Sequence, residues 1–571
     1  MSRAKEWFAI LAVGLVGGIV AGCFSIASWP IPAVHDEFSH LLVADTLMQG
    51  RLSNPTPPVW PVFQAEHIVV TPTYASKYPV GPGALLALGR LTLGVPQAGL
   101  WLGAALACAA VVWMVRSFTG LTVAIWAGLM VAFHPFLQSV WSQNFMNGWL
   151  AMASASLVLG ASIRLRRGWN GPYSAVLICG AVGLAVTRPM EGLVCLCFAA
   201  LLFIPRAVGV ASHWWRDFKV VQSPWFLLPG LAGASLLLVH HHSVTGRFMQ
   251  MPYQLHEHQY GVAPLWIFQN PKMPTWLAQP DSTPTTHADV KNIGPLADAS
   301  QSADRPIPTL SNGTITPEQV PQEIRRYHTG WSMDTYRDQA SLAGWLSGCG
   351  ERLRASFEYF GAITILAMVG VFRSGRWTKV RTVSLAALGL FGVSTLVPWI
   401  FPHYYAPLVP WLIILSVIGI RYWPIKFLGT QSDPQQFKKL LMICLLGLQL
   451  CLISIKAWTL FTQPTQTWAH RRAAIERALE EKGGKHLVLV RYSPSHNVHE
   501  EWAYNHADLD TAPVVWARSW RTDYDEQLKA HYGGTRQIWV VEPDAEDVSL
   551  RGYSPLAVQL GEGKRGTTNR H

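Results

Sequence analysis

The chain has 571 residues, half of them hydrophobic and only 14% charged, with 26 Trp, 38 Pro and a net charge of +11. Soluble domains carry about 25% charged residues, so there are too few charges to coat the roughly four globular domains that this length would otherwise make. The same reading excludes a nucleic-acid partner, because the Lys and Arg fall between apolar runs instead of forming one basic patch.

A spanning helix needs about 20 mostly apolar residues, since every backbone polar group must be satisfied inside the hydrocarbon. Trp7 to Ser28 is the first such run. It follows Arg3 and Lys5 and lacks a small-residue cleavage site leading into soluble chain, so it reads as a retained helix and not a leader. Further spans are predicted over roughly 96 to 115, 121 to 140, 147 to 163, 172 to 187, 190 to 205, 224 to 241, 355 to 372, 382 to 401, 406 to 420 and 440 to 459, about eleven in all. Gly81 to Gly94 is shorter and contains Arg90, which suits a helix lying on the outer surface. With the N-terminus inside, the inner segments hold 17 Lys and Arg, whereas the first outer loop and the short outer turns hold 4: Arg51, Lys77, Arg90 and Arg188. Basic residues are retained on the cytoplasmic side, so this asymmetry orients the chain.

The expected fold is an all-α polytopic membrane domain with a small α/β extracytoplasmic domain at the C-terminus. Segment 1–241 carries the first helices and the first outer loop (29–94), 242–354 is a second outer loop, 355–459 carries the later helices, and 460–571 is the tail. Residues 269–322 are rich in Pro, Thr, Ser, Asp and Asn and are predicted to be irregular or mobile. In the tail, His486 to Tyr492, Val514 to Arg518 and Gln537 to Val541 are short apolar runs that suit buried strands, with helical segments such as Arg471 to Lys482 between them. Seven of the eight Cys fall in predicted spans and Cys349 stands alone, so no disulfide framework is available.

The unusual polar residues collect on the outer side. His35-Asp36-Glu37 follows the first span, and Lys77-Tyr78-Pro79 closes the first outer loop. Later span ends add Arg188 with Glu191, His240-His241-His242 with Arg247, His256-Glu257-His258 and His403-Tyr404-Tyr405. Ionisable groups at span ends cost free energy and are functional candidates by default. A carboxylate such as Asp36, supported by Glu37, can take a proton from a hydroxyl nucleophile. An ammonium or guanidinium at Lys77 or Arg188 can hold a phosphate, although Arg188 could instead pair with Glu191. Tyr78, Glu191, Arg247, His256, Glu257, His258, His403 and Tyr404 are candidates to contact substrate. His256 and His258 are also candidate metal ligands, but two positions apart they share a face only on a strand.

An Asp-Glu pair directly after the first span, a Lys-x-Pro element closing the outer loop, a surface helix and a His-Tyr-Tyr-x-Pro element on a late span resemble the GT-C glycosyltransferases. The protein O-mannosyltransferases and the transferase that puts aminoarabinose on lipid A are the nearest in pattern. Asp36 to Asn54, Pro72 to Gly81, Thr187 to Gly192, Met251 to Pro264 and Glu501 to Asp510 further resemble a little-characterised bacterial group classed with these transferases. The resemblance implies a catalytic base at Asp36, with Glu37 supporting it or binding the acceptor, and a donor-phosphate ligand at Lys77, with Arg188 able to share that role. It implies a sugar donor on a polyprenyl phosphate, with membrane lipid around its tail, and a glycan, lipid or protein acceptor. No cofactor is required, although a divalent metal stays open; the absence of a Gly-rich phosphate loop agrees with a lipid-linked donor. The implied location is the bacterial inner membrane, with the N-terminus cytoplasmic and the tail periplasmic. The alternatives from other classes are a polytopic lipid or sugar transporter and an envelope assembly protein; against the first, no two related halves are visible.

Overall fold

A computed structural model of the chain describes residues 3–201, 223–277, 315–373, 378–421, 434–463 and 467–552. Much of the Pro-rich 269–322 segment, predicted irregular, lies outside these residues. The helical part opens with α1 (Arg3–Ala27) and continues outside the first span with α2 (His35–Met48). A small antiparallel sheet follows, its central β3 (Thr73–Ser76) flanked by β1 (Asn54–Pro55) and β2 (Ile68–Val69). Then come α3 (Val80–Leu93), α4 (Gln97–Arg116), α5 (Leu121–Ala132), α6 (Pro135–Trp141), α7 (Gly148–Leu165), α8 (Gly171–Ala185), α9 (Pro189–Leu201) and α10 (Pro224–Thr245). The first span packs on α4 through small residues: a methyl at Gly17 would stand 2.5 Å from Cys108 Sγ, so the two backbones approach as only glycine allows.

Beyond α10 lie α11 (Pro252–Gln259), α12 (Gln322–Arg326), α13 (Ser332–Gln339), α14 (Leu342–Phe360), α15 (Ala362–Arg373), α16 (Thr378–Ser394), α17 (Val409–Arg421) and α18 (Pro434–Thr462). Among the described residues, helix covers most of each run predicted to span, although the 382 to 401 run leaves the helix after Ser394 and the end of the 190 to 205 run lies outside the described residues. By length and composition, however, four helices among the described residues can cross a membrane alone: α1, α4, α7 and the Gln435–Thr462 part of α18. Two bent pairs raise the number to six. The predicted 121 to 140 span breaks between α5 and α6, bending by 49° ahead of Pro135, whose missing N–H cannot continue the ladder. The predicted 355 to 372 span is two helices meeting at 115°, because α14 begins earlier, at Leu342, and ends at Gly361, where φ is +42°.

The tail forms α19 (Trp468–Lys482), β4 (His486–Val490), β5 (Val514–Arg518), α20 (Thr522–Tyr532), β6 (Gln537–Val541) and β7 (Arg551–Gly552), with sheet order β5-β4-β6-β7. The β4 strand pairs in parallel with both β5 and β6, as continuous apolar runs separated by helices require. Val59, Val62 and Phe63 of the first outer loop pack beneath Leu487, Leu489 and Val515. On the opposite face Trp502 and Trp516 join Phe38, Trp60, Tyr260 and Ile324 in one apolar cluster. The three regions expected outside the membrane therefore share a core. Arg518 ties them with polar bonds: it donates to Gln64 O at 3.0 Å, pairs with Glu323 at 3.0 Å, and pairs with Glu501.

Candidate active site

The site is built on α2. Its first turn is held by Glu37, whose Oε2 accepts the backbone N–H groups of Ala33 (2.8 Å) and Val34 (3.1 Å), while Oε1 accepts the N–H of Phe145 at 3.0 Å. Burial pushes this carboxyl up to about 7, against the pull of the three amides. Both oxygens are occupied by backbone, so Glu37 fixes the Phe145 turn against α2. Its neighbour Asp36 keeps a quarter of its side chain exposed. One of its oxygens accepts a hydrogen bond from the Tyr78 hydroxyl, and the other stands 3.8 Å from His67 Nε2. Burial holds His67 well below its ordinary range, so that ring faces Asp36 uncharged.

Lys77 follows β3, with its backbone N–H on His67 O at 3.1 Å. Its side chain is only 6% exposed, and Nζ meets Glu257 Oε1 at 3.2 Å and the Tyr253 ring at 4.9 Å. Burial alone would raise Glu257, yet the Lys77 ammonium and His256 overcome it and hold the carboxylate well below its usual range. Lys77 and Glu257 are thus a charge-neutral pair. On α11, His256 is buried and pushed down to about 4 by burial and then by Lys77, whereas His258 is exposed on the other face. The two imidazoles do not converge. Among the described residues no three His, Cys, Asp or Glu side chains are set to hold a metal ion.

A cleft opens beside this pair of loops. Gly81 donates its N–H to Val186 O at 2.8 Å, and a methyl on Gly81 would come within 2.6 Å of that oxygen, so the start of α3 sits directly on the turn between α8 and α9. That turn carries Arg188. The cleft is lined by His40, Tyr78, Met146, Asn147, Thr187 and Arg188. Tyr78 is the wall it shares with Asp36, and its ring stacks on His40 at 4.8 Å. Arg188 lies 5.1 Å over the Tyr404 ring, and among the described residues no carboxylate stands within 4.0 Å of it, so the Arg188–Glu191 pair open from the sequence does not form. Tyr404 joins the groups electrostatically: burial raises its hydroxyl, Arg188 pulls it down, and Asp36, Glu191 and Glu257 push it up.

Asp36, Tyr78, Lys77, Glu257, His256, Arg188, Tyr404 and His403 therefore gather in one region. His403 is buried and stacked on Phe401, and burial followed by Arg188 keeps it neutral. Glu191 bears on the group through Tyr404 and Tyr253, whose hydroxyls its charge pushes up. Arg247 stands in the exposed turn after α10, with its N–H on Thr245 Oγ1, and is not brought into the cleft. Sequence reasoning missed His40, Asn147 and Tyr253. His40 was within reach: it follows Asp36 by four residues, which places both on one face once 35–48 is seen as helix. Asn147 and Tyr253 carry no comparable signal, because chain folding alone brings them to the site.

No family model matches the chain, and no curated protein matches it. Among solved structures, the chain is similar to ArnT from Cupriavidus metallidurans bound to undecaprenyl phosphate, with 12% identity and a TM-score of 0.47, covering 95% of this chain and 93% of that one. It is also similar to the oligosaccharyltransferase of Archaeoglobus fulgidus in the apo form, with 12% identity and a TM-score of 0.40 over 86% of this chain. The chain spans 63% of the length of that oligosaccharyltransferase.

Proposed function

We propose that the protein is a membrane-embedded glycosyltransferase that moves a sugar from a polyprenyl-phosphate donor to an acceptor hydroxyl, at a site on the outer face of the bacterial inner membrane. The observation that carries the reading is the separation of charges across one tyrosine: a partly exposed carboxylate, Asp36, on one side of Tyr78, and in the cleft on the other the Arg188 guanidinium, which has no carboxylate partner among the described residues. Transfer needs a base where the acceptor O–H enters and positive charge where the phosphate leaves.

In the proposed step the acceptor oxygen attacks the anomeric carbon, its proton passes to Asp36, and the bond from that carbon to the phosphate oxygen breaks. The polyprenyl phosphate leaves with the bonding pair, stabilised by Arg188 and, more weakly, by the Glu257-compensated Lys77. The Tyr78 hydroxyl orients the Asp36 carboxylate, and the neutral wall of His67 and His40 adds no competing charge. The step is written without a metal ion. The acceptor is a hydroxyl of a glycan, lipid or protein. The outer location follows from the 17 inner basic residues against 4 outer ones.

The test is transfer of labelled sugar from a polyprenyl-phosphate donor by purified protein. Wild type forms a new glycosidic bond and Asp36→Asn does not. Movement of donor across sealed vesicles with no new bond would replace this reading with transport.

A further inference from the structure

One residue in the cleft has a side chain that the fold leaves without a partner. Asn147, between α6 and α7, is 1% exposed, yet neither Nδ2 nor Oδ1 has a hydrogen-bond partner. Its backbone stands in the left-handed region at φ +55°, ψ +56°, which L-residues other than Asn and Asp rarely adopt. A buried amide left unpaired costs free energy, and a native structure that keeps one holds it for something. The carboxamide lines the cleft with Arg188 and His40. His40 repeats the pattern: it is 4% exposed, its Nδ1 is unpartnered, and burial and then Arg188 push it down to about 3, so it is neutral. The turn is also held in place. Glu37 accepts the N–H of Phe145, two residues before Asn147, and Asn144 closes on the N–H of Met146 at 3.1 Å.

The cleft thus presents one uncompensated cation and two neutral polar groups able to donate N–H bonds. That set complements a single negative charge carried on several acceptor oxygens, which describes a phosphodiester. A diphosphate would bring a second charge, and Lys77, the other cation of the site, is already neutralised by Glu257.

We infer that Asn147 is a donor-binding residue whose carboxamide, with His40 and Arg188, holds the monophosphate linkage of the lipid-linked sugar, and that Glu37 is the positioning residue that aims it. This rests on the transferase reading above and names the headgroup that its cleft takes.

The full chain in detergent is titrated with polyprenyl monophosphate, polyprenyl diphosphate and inorganic phosphate. Asn147→Gly is the clean variant, because glycine keeps the positive φ and removes only the carboxamide. Losing one hydrogen bond to a charged group weakens binding by about tenfold or more. The expected result is therefore a polyprenyl-monophosphate affinity lowered at least tenfold in Asn147→Gly, with an unchanged unfolding temperature. Glu37→Ala should lower affinity similarly, and Glu37→Gln, which keeps one acceptor oxygen for the Phe145 N–H but sets an NH2 against the Ala33 and Val34 amides, should restore it in part. Wild-type affinity in Asn147→Gly would overturn this inference alone. Binding of the diphosphate or of inorganic phosphate as tightly as the monophosphate would overturn the headgroup assignment. No binding of any polyprenyl phosphate by wild type would overturn the transferase reading with it.

Discussion

Arg188 and Lys77 are both basic and both near Asp36, but the structure gives them different consequences on removal. Among the described residues Arg188 has no carboxylate partner and it lines the cleft, so Arg188→Met strands no buried counter-charge and gives up only the contact with the Tyr404 ring. A hydrogen bond to a charged group nets about 1.5–3 kcal/mol, which corresponds to about 10- to 150-fold in affinity. Lys77 is 5% exposed and 3.2 Å from Glu257. Lys77→Met leaves that carboxylate buried without its partner, a loss of about 3–5 kcal/mol of stability. The double variant Lys77→Met, Glu257→Gln removes no net charge and should recover most of the stability. The assay pairs thermal unfolding in detergent with titration of polyprenyl monophosphate. Arg188→Met is expected to bind weakly and unfold normally, Lys77→Met to unfold early, and the double variant to unfold near wild type while binding better than Arg188→Met. Normal unfolding of Lys77→Met with the greater loss of lipid affinity would refute the assignment of charges.

Other outcomes follow from the same contacts. The Glu37 carboxyl sits at about 7 in the folded protein against an ordinary 4.5, so the folded state holds that proton more tightly. Its contribution to stability is then full below about 4.5 and is lost as pH rises toward 7, by about 3 kcal/mol at 1.36 kcal/mol per unit. Glu37→Gln, which does not titrate, should flatten that slope in unfolding scans across this window. Tyr78→Phe removes the hydroxyl that orients Asp36 and should lower turnover about tenfold, on the scale of one hydrogen bond, with donor affinity nearly unchanged. Arg518→Met strands Glu323 and Glu501 in the outer core, and limited proteolysis should then cut the tail loose from a chain whose helices stay intact.

Much of the helical framework was legible because spans announce themselves by length and polarity, and the tail because short apolar runs between helices leave few alternatives to a parallel sheet. The bends at Pro135 and Gly361 were not read, since an average over 20 residues passes across a single breaker. Residues 35–48 gave no amphipathic period because α2 is covered on nearly every side, so its helix, and with it the shared face of Asp36 and His40, stayed hidden. Topology alone led to the expectation that the polar residues lie on the outer side. Their partners were not: Lys77 and Glu257 are 180 positions apart, and His35 Nδ1 meets the Tyr504 hydroxyl at 2.7 Å across most of the chain. Such pairs depend on how the three outer regions fold onto one another, which local pattern does not encode.

The central claim is that Asp36 takes the acceptor's proton while the cleft beyond Tyr78 holds the leaving phosphate. Single-turnover transfer from labelled polyprenyl-phosphate sugar, compared between wild type and Asp36→Asn at saturating donor, tests it most directly. The account predicts that the variant binds polyprenyl monophosphate like wild type and forms no glycosidic bond above background. Transfer by Asp36→Asn at the wild-type rate would contradict it.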